Sequence, residues 1–190
     1  EHKRIIYLSR IDLWKGLEFL INSFSVIANK YPDWSIDIYG QSQPEHYVNE
    51  LISLTKKLNV DKQINFKGIT KNVLDKYREY DFCVFPSYFE GFPMGLIEAQ
   101  SVGMPCIGLK ECSGVNELII DGYNGFLSEE KYEDFAKKME LMINNKELRT
   151  KFSQNALDHV KKYNQDNINE LWLATIDALI NRNKIDKEYF

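Results

Sequence analysis

The chain has no long apolar run. Nothing in its 190 residues approaches the roughly 20 consecutive apolar residues that a membrane helix needs. It has no basic tract either. Its 24 Lys and Arg are scattered among 28 Asp and Glu, for a net charge of -4. That balance argues against a nucleic-acid partner, because phosphate backbones demand basic surfaces. Cysteine is scarce. Cys83, Cys106 and Cys112 are odd in number and form no metal-ligand spacing. Cys83 and Cys106 lie in apolar, strand-like runs, where a free thiol packs as a small hydrophobe. Free thiols fit a reducing cytosol. The three histidines, His2, His46 and His159, stand in polar surroundings and read as surface residues. No Ser-His-Asp set and no metal site can be assembled. There is no internal repeat, no low-complexity segment and no signal sequence. The chain opens on Glu1-His2-Lys3-Arg4 without an initiator Met, so a fragment or an excised domain is expected.

What is present is a regular alternation. Ile5-Ile6-Tyr7-Leu8 is a short apolar run that predicts a buried strand. Over residues 16–30 the apolar positions Leu17, Leu20, Ile21, Phe24, Ile27 and Ala28 follow helical offsets. Further strands are expected at 34–39, 63–66, 82–85 and 105–108, with a sixth beginning at Phe126-Leu127. Helices are expected at 45–58, 71–80, 93–102 and 115–120, then at 132–144, 146–162 and 166–182. Asp121-Gly122-Tyr123-Asn124-Gly125 reads as a double turn. Strands alternating with helices imply βαβ units. The predicted fold is therefore α/β, a doubly wound, six-stranded parallel sheet of Rossmann-like type with C-terminal helices. One domain is expected over residues 1–183, with a frayed tail at 184–190. Ligands of such sheets bind beyond the carboxyl ends of the strands. That rule selects the loops at 9–16, 40–43, 68–70, 87–93 and 110–114.

One stretch organises the rest. Residues 82–103 read FCVFPSYFEGFPMGLIEAQSVG. A buried strand runs into an elbow at Glu90-Gly91-Phe92-Pro93, and a short helix follows. Pro93 suits a first helical turn, where a missing N–H costs nothing. Met94 and Gly95 then offer free backbone N–H groups at the positive end of the helix dipole, a ready anion site. Glu90 precedes this helix and Glu98 lies in its second turn. Glu98 sits among Leu96, Ile97 and Ala99, so its carboxylate needs a partner. A ribose diol is one candidate, and a plain helix-surface position is the alternative. Glu90 suits a sugar hydroxyl, or simply a favourable charge at the helix start. Phosphate and hydroxyl features together suit a sugar nucleotide. A hydrolase carboxylate pair made of Glu90 and Glu98 would leave the phosphate features unexplained.

The first strand is not followed by G-x-G-x-x-G, which lowers the case for a nicotinamide enzyme. Its loop reads Ser9-Arg10-Ile11-Asp12-Leu13-Trp14-Lys15-Gly16. Arg10 can grip a phosphate with two donors and Lys15 can act as a mobile point charge. In isolation they would be two solvated surface charges. At the carboxyl edge of the sheet, opposite Met94 and Gly95, they could surround a diphosphate. Glu117, Asp121 and Asn124 read as turn and packing residues.

The pattern Arg10-x4-Lys15-Gly16 with Glu90-x7-Glu98, set in PSYFEGFPMGLIEAQSVGMPCI, resembles the C-terminal domain of retaining GT-B glycosyltransferases of the group 1 family. These include glycogen-synthase-like enzymes and the capsule and lipopolysaccharide hexosyltransferases. The resemblance covers residues 5–144. It is strengthened by Gly40, Phe66-x-Gly68, Tyr80-Asp81, Pro86-Ser87 and Asp121-Gly122-x-Asn124-Gly125. It implies a UDP-sugar or another nucleoside-diphosphate sugar as donor. Arg10 and Lys15 would bind its diphosphate, and Glu90 the transferred sugar. Gly91, Phe92, Pro93, Met94 and Gly95 would bind phosphate and sugar through their backbone. Glu98 would take the ribose diol, and Gly68-Ile69-Thr70 would flank the base. The family often has Gly or Ser where Pro93 stands, and a glycine pair where Ser113-Gly114 stands.

The resemblance further implies no metal and no cofactor, in keeping with the lack of a D-x-D motif. It implies a glycan or lipid-linked acceptor bound through an N-terminal domain that this chain does not contain. The parent protein would be cytoplasmic, with possible peripheral association at the inner face of the membrane. Donor binding without useful transfer is expected of this piece alone. Two other readings fit the sequence: half of a GT-B-fold UDP-N-acetylhexosamine epimerase, and a non-catalytic nucleotide-binding module. The second requires Arg10 and Lys15 to point into solvent.

Overall fold

The computed structural model describes the backbone of residues 2–188 and side chains up to residue 181. Six strands form one parallel sheet: β1 Arg4–Leu8, β2 Ser35–Tyr39, β3 Ile64–Gly68, β4 Phe82–Phe85, β5 Cys106–Leu109 and β6 Gly125–Ser128. Their spatial order is β3-β2-β1-β4-β5-β6. The order reverses between β1 and β4, which register through Ile5 with Phe82 and Ile6 with Cys83. All six strands expected from the sequence are present, and each boundary lies within two residues of the expected one.

The strands read as continuous apolar runs because helices cover both faces of a parallel sheet. All four residues of β4 and of β5 are buried. Burying one Ile or Phe side chain contributes about 1.5–3 kcal/mol, and the central pair β1 and β4 buries Ile5, Ile6, Phe82 and Phe85. The helices are α1 Leu17–Ile27, α2 Tyr47–Lys57, α3 Val73–Tyr77, α4 Met94–Ser101, α5 Ser113–Leu118, α6 Tyr132–Asn144, α7 Lys146–Val160 and α8 Gln165–Glu188. Contacts divide them into two groups. Helix α1 packs with α2 and α6, and α4 packs with α3, α5 and α7.

Three details depart from the sequence reading. Helix α3 is only five residues long, running from the residue after Asn72 to the buried Tyr77. Pro93 is not in the first turn of α4. It is the extended residue before it, with φ -74° and ψ 98°. Its fixed ring still presets the entry, and the first free N–H groups are those of Met94 and Gly95. Helix α8 runs to Glu188, past the expected end at residue 182. The side chains of the expected tail at 184–190 lie outside the described residues.

Helix α8 carries Leu171, Trp172, Leu173, Ile176, Leu179 and Ile180, all exposed. None of them joins the core cluster, whose last described member is Phe152, with Tyr163 packed on its edge. No helix among the described residues is long and apolar enough to cross a membrane.

Candidate donor site

Strand β1 delivers its loop to the point where the strand order reverses. Asp12 accepts a hydrogen bond from the Trp14 N–H at 3.0 Å and so starts a 3₁₀ turn, Leu13–Lys15. Gly16 ends the turn at φ +66°. A Cβ at this position would lie 2.0 Å from the Pro86 carbonyl oxygen. Only glycine allows both that backbone conformation and so close an approach to the loop after β4. The Tyr88 N–H donates to the Trp14 carbonyl at 2.9 Å and joins the two loops again.

This turn sends Lys15 inward, where Lys15 Nζ lies 2.6 Å from Glu90 Oε1. Their side chains are only 9% and 12% exposed. The structure thus joins two residues expected to serve different parts of the ligand. Arg10 is placed differently. Its side chain is 67% exposed, and its nearest carboxylate is Asp12 at 3.8 Å. The expected pair of cations is therefore split into an inward Lys15 and an outward Arg10.

The elbow after Glu90 is held from behind. Glu90 and Gly91 pack against the start of α5, where the Gly114 N–H donates to the Glu90 carbonyl at 3.3 Å. A Cβ on Gly114 would lie 2.4 Å from the Gly91 carbonyl oxygen, so glycine is needed here for space. Gly91 and Phe92 are exposed, Pro93 is buried and Met94 is 60% exposed. Leu96 N–H already bonds to the Pro93 carbonyl at 3.0 Å. The N–H groups of Met94 and Gly95 come before the first residue that the helix ladder can satisfy. Glu98 follows one turn later, half-buried, and its carboxylate has no hydrogen-bond or ion-pair partner among the described residues.

At the ends of β1, β2 and β3 lies a cavity of about 190 Å³, lined by Leu8, Ser9, Tyr39, Gly40, Gln41, Ile69 and Thr70. Gly68 supports it from below by accepting the Gly40 N–H at 2.8 Å. Gly68 and Ile69 are exposed and Thr70 is half-buried. A larger polar cavity, about 370 Å³, lies at the opposite edge of the sheet, lined by His2, Arg78, Asp81, Lys146 and Arg149 among others. None of the residues expected to bind the donor lines it.

Asn124 and Asp121 serve the turns as expected, while Glu117 lies exposed on α5. Asn124 is fully buried, accepting from the Ile120 N–H at 2.8 Å and donating to the Leu118 carbonyl at 3.0 Å. Asp121 accepts from the Leu127 N–H. Cys83, Cys106 and Cys112 are free and buried. His159 is not a surface residue. Its Nδ1 meets Gln100 Oε1 at 3.1 Å, and its Nε2 is buried without a hydrogen-bond partner among the described residues. Burial, aided by Lys162, lowers its pKa.

Lys15, Glu90, the Met94 and Gly95 N–H groups and Glu98 thus lie on loops and a helix start at the carboxyl edge of the sheet, beside the point where the strand order reverses. A family model described as "Glycosyl transferases group 1" matches residues 1–159. The chain belongs to that family. An uncharacterized glycosyltransferase of Haemophilus influenzae is 32% identical over 173 residues, covering 90% of this chain and 48% of that protein. The chain thus spans about half the length of this curated relative. The C-terminal domain of the glycosyl transferase group 1 family protein LpcC from Francisella tularensis superposes with a TM-score of 0.76 at 32% identity, covering 85% of this chain and 86% of that one. A variant of S. aureus TarM, solved with Fondaparinux, alpha-GlcNAc-glycerol and UDP, superposes at 0.84 with 25% identity, covering 90% of this chain and 35% of that one. The chain is thus one Rossmann-like half of a GT-B glycosyltransferase fold.

Proposed function

We propose that this domain binds the nucleotide-sugar donor of a retaining glycosyltransferase, with a UDP-hexose as the donor. The observation that carries the reading is the Lys15–Glu90 pair at 2.6 Å, set at the same edge of the sheet as the free N–H groups of Met94 and Gly95. Lys15 and the helix start supply positive potential for a diphosphate. Glu90 supplies an acceptor for hydroxyls of the transferred sugar, and the unpartnered Glu98 carboxylate an acceptor for the ribose diol. Arg10, exposed at the mouth, reaches the outer phosphate. The presence of UDP in the TarM structure supports uridine as the base, and the cavity beside Ile69 and Thr70 has the position to receive it.

In this reading the leaving diphosphate is stabilised by fixed cations and backbone dipoles, with no divalent ion and no covalent protein nucleophile. The acceptor, a glycan or a lipid-linked sugar, binds to protein outside this chain, as does any peripheral contact with a membrane. The isolated chain binds donor without transferring it.

Calorimetric titration with UDP and UDP-hexoses, with and without a chelator, tests this. Saturable binding that survives the chelator and weakens sharply in Lys15→Ala and Glu98→Ala is expected. No binding of any nucleoside diphosphate would overturn the reading.

A further inference from the structure

Two tyrosines on opposite sides of the switch point share one arrangement. Tyr7 is the fourth residue of β1 and is 1% exposed. Its hydroxyl donates to the Arg10 backbone carbonyl at 2.6 Å. Tyr77 closes α3 and is fully buried. Its hydroxyl donates to the Gly95 backbone carbonyl at 3.0 Å. A phenol in the core must find a partner for its hydroxyl. Here each has found the main chain of one of the two segments assigned to the diphosphate. The start of α4 also lies close to the end of β1, since a Cβ added to Gly95 would lie 3.7 Å from both the Tyr77 hydroxyl and the Leu8 carbonyl oxygen.

We infer that Tyr7 and Tyr77 are positioning residues for the donor diphosphate, each fixing from below the backbone of one phosphate-binding segment. The inference rests on the donor-site reading above. Tyr7 holds the loop after β1, which sets where Arg10 and the Lys15 turn begin. Tyr77 holds the first turn of α4, where Met94 and Gly95 present their N–H groups. A helix start binds an anion well only if its donors stay aimed at one point. A single hydrogen bond to a carbonyl in that turn resists its tilting. Burial pushes both hydroxyls well above the usual phenol range, in keeping with both acting as donors at neutral pH. Neither residue touches the ligand, so their effect is confined to the groups they hold.

That confinement gives the test. Tyr7→Phe and Tyr77→Phe remove only a hydroxyl and keep the ring in the core. The 190-residue chain and both variants are titrated with UDP and with uridine, and amide hydrogen exchange is followed in each. UDP binding is expected to weaken about five- to tenfold in either variant, with uridine binding unchanged. Exchange should quicken over Met94–Ser101 in Tyr77→Phe, while β1 and β4 keep their protection. A purely structural role would weaken UDP and uridine together. Equal losses for the two ligands, or no loss for UDP, overturn the inference. If the unsubstituted chain binds no UDP, the donor-site reading fails first and this inference falls with it. If either phenylalanine variant unfolds, the exchange pattern of the other decides. Loosening spread over the whole sheet would then also overturn it.

Discussion

Lys15 and Glu90 are 75 positions apart in sequence, yet their side chains form an ion pair with little access to solvent. Such a pair makes each group the other's counter-ion, so removing one leaves the other unbalanced in a partly desolvated place. Lys15→Ala leaves the Glu90 charge facing the incoming diphosphate, and UDP affinity should fall about tenfold or more. Glu90→Gln leaves Lys15 free for phosphate. It should bind UDP at least as tightly as the unsubstituted chain while losing any preference for UDP-sugar over UDP. Calorimetry of both variants checks the pair. If Glu90→Gln weakens UDP as much as Lys15→Ala does, the ion pair is only a structural brace.

Gly114 supports the elbow by lacking a side chain. Gly114→Ala places a methyl 2.4 Å from the Gly91 carbonyl oxygen, and backbone must move to admit it. The expected cost is roughly 1–3 kcal/mol of stability, together with weaker UDP-sugar binding because Glu90 and Gly91 shift. Denaturant titration and calorimetry read the two effects separately. An unchanged affinity would mean that the elbow adjusts without affecting the ligand.

Asp37 gives the fold an acid limit. It is 2% exposed and accepts from Arg4, from the Tyr80 hydroxyl at 2.7 Å and from Asn65 at 2.9 Å. Burial alone would raise its pKa, but these hydrogen bonds outweigh it and hold the carboxyl below its ordinary value of 3.8. Between the folded and unfolded values the unfolded chain binds more protons, so stability rises with pH there. The contribution is complete above about pH 4 and is lost as pH falls through the folded value. Asp37→Asn should lower stability at neutral pH and flatten this acid slope. Denaturation midpoints from pH 2.5 to 7 measure it, and an unchanged slope would assign acid unfolding to other carboxylates.

Helix α8 carries an uncovered apolar stripe among its described residues. Its exposed Leu171, Trp172, Leu173, Ile176, Leu179 and Ile180 contribute nothing to the described core, so ending the chain before Gln165 should change the thermal midpoint by less than about 3 °C. It should also lower the tendency of the chain to associate, because an uncovered apolar stripe is removed. Calorimetry and sedimentation check the two points. A large drop in midpoint would mean that α8 packs on the domain in solution.

Much of this was legible in the chain. The strands were readable because residues buried on both faces of a parallel sheet form continuous runs such as FCVF, and the helices because Leu17, Leu20, Ile21 and Phe24 repeat at helical spacing. The switch-point rule then selected both loops of the site. Side-chain direction was not legible. Arg10 and Lys15 look alike as two cations on one loop, and only the 3₁₀ turn capped by Asp12 and ended by Gly16 turns one inward and leaves the other in solvent. His159 reads as a surface residue from its neighbours Asp158 and Lys161, but the packing of α7 on α4 buries one ring nitrogen. The roles of Tyr7 and Tyr77 are not legible for a similar reason. A hydroxyl within an apolar run signals that a partner exists, but the partner here is a backbone carbonyl, which every residue possesses.

The most direct test of the central claim is a crystal structure of the chain with UDP. The diphosphate should lie within hydrogen-bond reach of Lys15 Nζ and of the Met94 and Gly95 N–H groups, with the ribose hydroxyls on Glu98 and uracil beside Ile69 and Thr70. UDP bound instead in the polar cavity between His2, Arg78 and Lys146 at the opposite edge of the sheet, or a diphosphate with no contact to Lys15, would contradict the account.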